Sequence, residues 1–227
     1  MPESDAVSFD LDGTLVVDDQ GPAEIHAGAF ERVDVEPFFE PADMRAVDLH
    51  SLPEVDGRGE RVFCEAVYRA VIENASGDPS LAPRLAAANR EVVDHAAVSL
   101  RAGAATAMAA ATDHGPVGLV TNGERETQTT KLSAVGVRDA LDAGVYCHAE
   151  GDAPPKPDPA SIERAAAALS TAPERTALVG DSPRDDVAGA NAAGATSVWV
   201  PRDDAVDDPD STPARRLDSL ADLLALL

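Results

Sequence analysis

Ala6-Val7-Ser8-Phe9-Asp10-Leu11-Asp12-Gly13-Thr14-Leu15 is the stretch that decides how this chain folds. Its first four residues form a short, mostly apolar run, which predicts a buried strand leading into a turn. The run stops at Asp10, and Gly13 lets the backbone turn sharply. Asp10 and Asp12 stand two residues apart at the strand's C-terminal end, so both side chains can face one crevice. Carboxylates this close repel, and a divalent cation with a preference for hard oxygen ligands, such as magnesium, is the usual remedy.

Similar runs recur at Val117-Gly118-Leu119-Val120, Gly144-Val145-Tyr146-Cys147, Ala177-Leu178-Val179-Gly180 and Ser197-Val198-Trp199-Val200. Helical patterns alternate with them at 126–135, 159–169 and 185–193, another at 101–112 precedes the second strand, and 219–224 reads as a closing helix. Short continuous strands alternating with helices predict an α/β fold, a doubly wound, Rossmann-like parallel sheet covered on both faces. Residues from about Pro22 to Ala97 break the alternation. Val62, Ala66, Val67, Ala70 and Val71 fall at helical spacing, as do Leu85, Ala88, Val92 and Val93. The expected organisation is therefore an α/β core of residues 1–17 and 98–227, with an all-helical domain, 18–97, inserted after the first strand.

Composition narrows the function classes. The chain has 227 residues and a formal net charge of −23. That acidity argues against nucleic acid or anionic membrane as a partner, since both need clustered cations. Cys64 and Cys147 are far apart and in no metal-ligand spacing, which fits a reducing cytosol and excludes a disulfide framework. With no leader-like start and no run long enough to span a bilayer, a cytoplasmic location is expected. Lysine is limited to Lys131 and Lys156, against sixteen arginines. An acidic, lysine-poor chain of this kind is expected in a salt-in halophile, where salt screens self-repulsion.

Three further stretches follow predicted strands. Thr121-Asn122-Gly123 offers a hydroxyl and backbone N–H groups near a helix start, suited to a phosphate. Lys156, within Pro154-Pro155-Lys156-Pro157-Asp158-Pro159, is a cation in a stiff segment. Gly180-Asp181-Ser182-Pro183-Arg184-Asp185-Asp186 brings more carboxylates to the same end of the sheet, where open α/β sheets keep their ligand crevice. Taken singly, these stretches also read as a helix cap, a solvated loop lysine and an acidic turn.

Together, Phe9 to Leu15, Val120 to Gly123, Lys156-Pro157 and Gly180 to Asp186 resemble the four ordered motifs of the haloacid dehalogenase-like hydrolase superfamily. The insert is similar to the helical cap of its phosphoglycolate phosphatase-like branch. The resemblance implies a phosphatase acting on a small phosphorylated metabolite. Asp10 would be the nucleophile that takes the phosphoryl group. Asp12 would protonate the leaving oxygen and later activate water. Mg2+ would be held by Asp10, the Asp12 carbonyl and Asp181, with Asp186 or Asp185 in support. Thr121, Asn122, Gly123 and Lys156 would bind the phosphate. Arg101-Ala102-Gly103 stands where relatives often carry Pro-Gly, with no expected consequence for the chemistry.

Relatives that cleave carbon–halogen bonds generally lack an acid at the position of Asp12, so its presence favours phosphate chemistry. A phosphosugar mutase uses the same core and cap. A phospho-accepting receiver domain shares the clustered acids, Thr and Lys, but needs neither the insert nor Asp12. No GxGxxG or P-loop follows a strand. Of the polar residues in the insert, His26, Arg45, His50, Arg58, Arg61 and Arg69 are candidates for recognition, none of them assigned. Monomer and homodimer both remain open.

Overall fold

The computed structural model describes residues 4–48, 52, 60–148, 150–202 and 211–227. The chain divides into two compact units, Met1–Val17 with Val98–Leu227, and Asp18–Ala97. The first is the α/β unit. Its strands are β1 (Ala6–Phe9), β4 (Val117–Asn122), β5 (Ala143–Cys147), β6 (Thr176–Gly180), β7 (Thr196–Trp199) and the two-residue β8 (Arg215–Arg216). They form one sheet in the order β5-β4-β1-β6-β7-β8 with parallel neighbours. A separate two-stranded sheet pairs β2 (Val16–Asp18) with β3 (Val98–Leu100).

Both faces of the main sheet are buried, which explains the unbroken apolar runs. On one face Val7, Phe9, Leu119, Val179 and Leu132 share a core. On the other, Val120, Val145, Leu178 and Ile162 share a second. Helices α5 (Ala104–His114), α6 (Arg125–Ala134), α7 (Pro159–Ala168) and α8 (Ala188–Ala193) connect the strands. From β1 the chain passes to β4 and β5 on one side, then returns to β6 and β7 on the other. Strand β1 is therefore the topological switch point, where the crevice of an open sheet opens. Phe9 lies opposite both Leu119 and Val179, so the residues following β1, β4 and β6 emerge at nearly one level.

The second unit contains α1 (Pro22–Val33), α2 (Pro41–Arg45), α3 (Glu60–Asn74) and α4 (Ala82–Val92). Ala29, Phe30, Phe39, Tyr68, Ile72 and Leu85 build a core of its own. Burying each large side chain among them contributes about 1.5–3 kcal/mol.

Four local features differ from the sequence expectation. The helix expected at 185–193 begins as a π turn, Pro183–Val187, and becomes α-helical only at Ala188. The closing helix is a 3-10 segment, Leu220–Ala225, started by a reciprocal cap between Ser219 and Asp222. The helix expected from Arg101 starts at Ala104, because the Arg101 N–H is taken by the Leu15 carbonyl and Gly103 adopts a φ of 86°. Strand β8 is too short to leave a period in the sequence. His50 and Arg58 fall outside the described residues.

Candidate active site

The site forms at the C-terminal ends of β1, β4 and β6. Asp10, Thr121 and Asp181 follow or end these strands and are all buried. Lys156, from the segment before α7, is buried beside them, and its ammonium has three acceptors: Asp10 Oδ1 at 2.7 Å, Asp186 Oδ1 at 2.6 Å and the Val120 carbonyl at 2.8 Å. An ammonium has three N–H donors, so the whole complement is engaged. Lys156 therefore offers a phosphoryl group its charge rather than a spare hydrogen.

Asp10, Asp181 and Asp186 each present a carboxylate oxygen within 4.8 Å of the others. The Lys156 ammonium contacts Asp10 and Asp186, and the half-exposed Arg202 guanidinium lies 3.6 Å from Asp181, so three carboxylates face two cations and negative charge stays in excess. The Asp10 carboxyl is raised to about 8 on balance: burial pushes it up, Lys156 pulls it down, and Asp186 and Asp181 push it up. Burial likewise raises Asp181, helped by Asp186. Burial works against the charge on Lys156, but Asp10 and Asp186 outweigh it and hold its proton more tightly than in free lysine. Closely spaced hard oxygens with excess negative charge fit a divalent cation such as Mg2+.

The absence of a side chain at two glycines makes this spacing attainable. Gly13 sits at φ 79°, and a β-carbon there would lie 2.7 Å from Asp181 Oδ2. A β-carbon at Gly180 would lie 2.2 Å from the Asp186 carboxyl carbon. The Thr14 hydroxyl donates to Asp181 Oδ1 at 2.8 Å, tying the first motif to the last. The Ser182 N–H donates to Asp186 Oδ2 at 3.0 Å. Asp185 instead pairs with the Ser182 hydroxyl at the start of the π turn. Of the two acids left open by the sequence, Asp186 is the one in the cluster.

Asp12 is half-buried and stands apart from that cluster. Its Oδ1 accepts from Lys131 Nζ at 2.6 Å and its Oδ2 from Gln128 Nε2 at 2.7 Å. Asn122 is exposed at its strand end; its side chain donates to the Lys156 carbonyl at 3.1 Å and accepts from the Lys156 N–H at 2.8 Å. This two-point clamp holds the backbone of the lysine. The Gly123 N–H continues the sheet ladder to the Cys147 carbonyl at 3.1 Å and is spent there, so it is not offered to a phosphate.

The profile of the haloacid dehalogenase-like hydrolases matches residues 4–194. The chain belongs to that family. Within it, a phosphoserine phosphatase from Thermus thermophilus is 34% identical over 162 residues, which is 71% of this chain and 64% of that protein. The match thus spans a little under two thirds of that relative's length. Among solved structures, the haloacid dehalogenase-like hydrolase YfnB from Bacillus subtilis, bound to magnesium, aligns with a TM-score of 0.76 at 19% identity, covering 99% of this chain and 98% of YfnB. A predicted phosphoglycolate phosphatase from Haemophilus somnus aligns at 0.75 and 20% identity, with coverage of 99% and 98%. At such identity these two structures speak for the fold of this hydrolase.

Some side chains at the site had no role in the sequence reading. Thr14 belongs to the Phe9 to Leu15 motif, where nothing local gives its hydroxyl a partner. Arg101, viewed as a neutral departure, uses its guanidinium to join the Gly13 carbonyl at 2.9 Å to the Val200 carbonyl at 3.0 Å and to that of Pro201. It therefore braces the loop that carries Asp10 and Asp12 against the end of β7. Gln128 and Lys131 were also missed, although Lys131 stood out as one of only two lysines. In the helical unit, His26 is buried against Phe30 and Phe39, with centroids 4.7 and 5.2 Å away. Arg45, Arg61 and Arg69 are exposed, and Arg69 pairs with Glu65 at 2.8 Å.

Proposed function

We propose that this hydrolase is a magnesium-dependent phosphatase that cleaves a small-molecule phosphate monoester by way of an aspartyl-phosphate on Asp10. The observation that carries the reading is the pairing of a buried, three-carboxylate cluster around Asp10 with a separate acid, Asp12, at the same strand end. A carbon–halogen bond breaks without a proton donor; an ester oxygen needs one. The named relative, a phosphoserine phosphatase, supports the same chemistry.

In this reading Asp10, Asp181 and the Asp12 carbonyl hold Mg2+, with Asp186 in support through Lys156. The bound metal lets an anionic nucleophile meet an anionic phosphate. An Asp10 carboxylate oxygen attacks phosphorus as the ester P–O bond breaks. The leaving oxygen takes a proton from Asp12 and departs as an alcohol. Water then attacks the aspartyl-phosphate and gives a proton back to Asp12. The acyl–phosphate bond breaks, releasing inorganic phosphate and restoring the Asp10 carboxylate. The Thr121 hydroxyl and the Asn122 N–H donate to the transferring group, and the Lys156 charge offsets its negative charge.

The helical unit, Asp18–Ala97, is read as a cap that selects the substrate and limits water. The thiol state of Cys64 and Cys147 agrees with a reducing, cytoplasmic setting. Among the described residues no helix is long and apolar enough to cross a membrane.

Phosphate release from phosphoserine, phosphoglycolate, sugar phosphates, nucleoside monophosphates and an aryl phosphate, with magnesium in molar KCl, tests the reading. Sustained release, lost in Asp10→Asn, is expected. Interconversion of sugar phosphates with little free phosphate would instead indicate a mutase, and a single stable phosphorylation a receiver.

A further inference from the structure

Gln128 and Lys131 lie three residues apart on α6, and therefore on one face of the helix. That face meets the first motif. Gln128 Nε2 donates at 2.7 Å to Asp12 Oδ2 and at 2.7 Å to Thr121 Oγ1, which uses both hydrogens of the amide. Lys131 Nζ reaches Asp12 Oδ1 at 2.6 Å. Each Asp12 carboxylate oxygen is thus held by one side chain of α6.

Two features speak against an incidental strut. Gln128 is only 1% exposed, and its Oε1 is a buried acceptor with no partner among the described residues. Leaving such an atom unsatisfied costs about 1–3 kcal/mol, so the amide is held in place by what its other end does. The carboxylate at 2.7 Å fixes which end that is, since Oε1 turned toward Asp12 would set acceptor against acceptor. The Thr121 oxygen, already accepting from Gln128, must point its own hydrogen elsewhere. The second feature is that Lys131 is one of the chain's two lysines, with a side chain only 12% exposed. Both ammonium groups end on first-motif carboxylates, Lys156 on Asp10 and Lys131 on Asp12.

We propose that Gln128 and Lys131 are positioning residues that fix the Asp12 carboxylate for proton transfer and turn the Thr121 hydroxyl toward the phosphoryl group. The inference rests on the phosphatase reading above, in which Asp12 protonates the leaving oxygen. Neither residue touches the reacting atoms. Lys131 fixes one oxygen of Asp12. Gln128 fixes the other and couples it to Thr121, so acid and phosphate donor are set by one amide.

The test is the first-turnover rate of leaving-group release with magnesium, for an aryl phosphate and an alkyl phosphate. The variants are Lys131→Met, Lys131→Arg and Gln128→Leu, with Asp12→Ala as the reference. An aryl oxide leaves readily without a proton and an alkoxide does not. Lys131→Met should slow alkyl ester cleavage about 10- to 100-fold and change aryl ester cleavage much less, whereas Gln128→Leu, which also releases the Thr121 hydroxyl, should slow both esters with the larger loss on the alkyl one. Lys131→Arg, which keeps the charge, should recover part of the loss. Equal slowing on both esters, or none, in variants that still melt cooperatively would overturn the proposal provided Asp12→Ala itself separates the esters. If Asp12→Ala does not separate them, the acid role of Asp12 falls, and this inference with it.

Discussion

The Lys156 ammonium bridges Asp10 and Asp186, at 2.7 and 2.6 Å, from a side chain that is almost completely buried. One cation thus holds the nucleophile candidate and a member of the last motif in a fixed relation. Removing it leaves the buried Asp186 carboxylate without its cation and Asp10 with only a proton to neutralise it. Lys156→Met should destabilise the metal-free protein by about 3–5 kcal/mol and abolish turnover. Urea unfolding in EDTA measures the first and phosphate release the second. A loss below about 1 kcal/mol would reduce the bridge to the rank of a surface pair.

The cluster of three acids sets the pH dependence of the metal-free protein. With the Asp10 carboxyl raised to about 8 from an ordinary 3.8, the folded chain keeps a proton that the unfolded chain has lost. Its contribution to stability is full below pH 3.8 and fades as pH rises through 8. In EDTA, stability should fall with rising pH across that window, more steeply in the wild type than in Asp10→Asn. Added Mg2+ should flatten the difference, because a cation replaces the proton. Trp199, the chain's one tryptophan, donates its indole N–H to the Asp181 carbonyl at 2.9 Å. Its fluorescence should therefore titrate with Mg2+, and Asp181→Asn should weaken that response. An identical pH slope in the wild type and Asp10→Asn would contradict the raised carboxyl.

Gly13 has no room for a side chain, with its φ of 79° and Asp181 Oδ2 2.7 Å from where a β-carbon would sit. Gly13→Ala should cost at least ~1 kcal/mol and weaken Mg2+ binding together with activity. Thermal melts with and without Mg2+ check this. A variant with unchanged metal affinity would show that the loop tolerates the shift.

Much of this site was legible in the sequence because its parts sit at strand ends, and strand ends are marked by apolar runs that stop. Asp10, Thr121 and Asp181 were found that way. What escaped detection depends on contacts between distant stretches. Thr14 meets Asp181 across 167 residues, Arg101 reaches Gly13 across 88 and Lys131 reaches Asp12 across 119. No local period records such meetings. The sequence predicts an ordinary helix over 185–193 and not the π turn at Pro183–Val187 for the same reason: the fold of Asp186 back toward Lys156 is a tertiary demand. Lysine scarcity was the one sequence feature that pointed at Lys131, and it pointed without naming a partner.

The net charge of −23 makes a separate prediction about salt. The screening length falls from about 10 Å at 0.1 M to about 3 Å at 1 M, which removes most repulsion between surface acids. The melting temperature should rise with KCl through the molar range, and more than it does with an uncharged osmolyte. A flat response would remove the halophilic reading of the composition.

The identity of the nucleophile is tested most directly by stopping the reaction in acid within the first turnovers and measuring the mass of the peptide that contains Asp10. With an aryl phosphate, whose leaving group needs no proton, one added phosphoryl group is expected on that peptide in the wild type, accumulating in Asp12→Ala and absent in Asp10→Asn. Phosphate carried by another residue, or full turnover in Asp10→Asn, would contradict it.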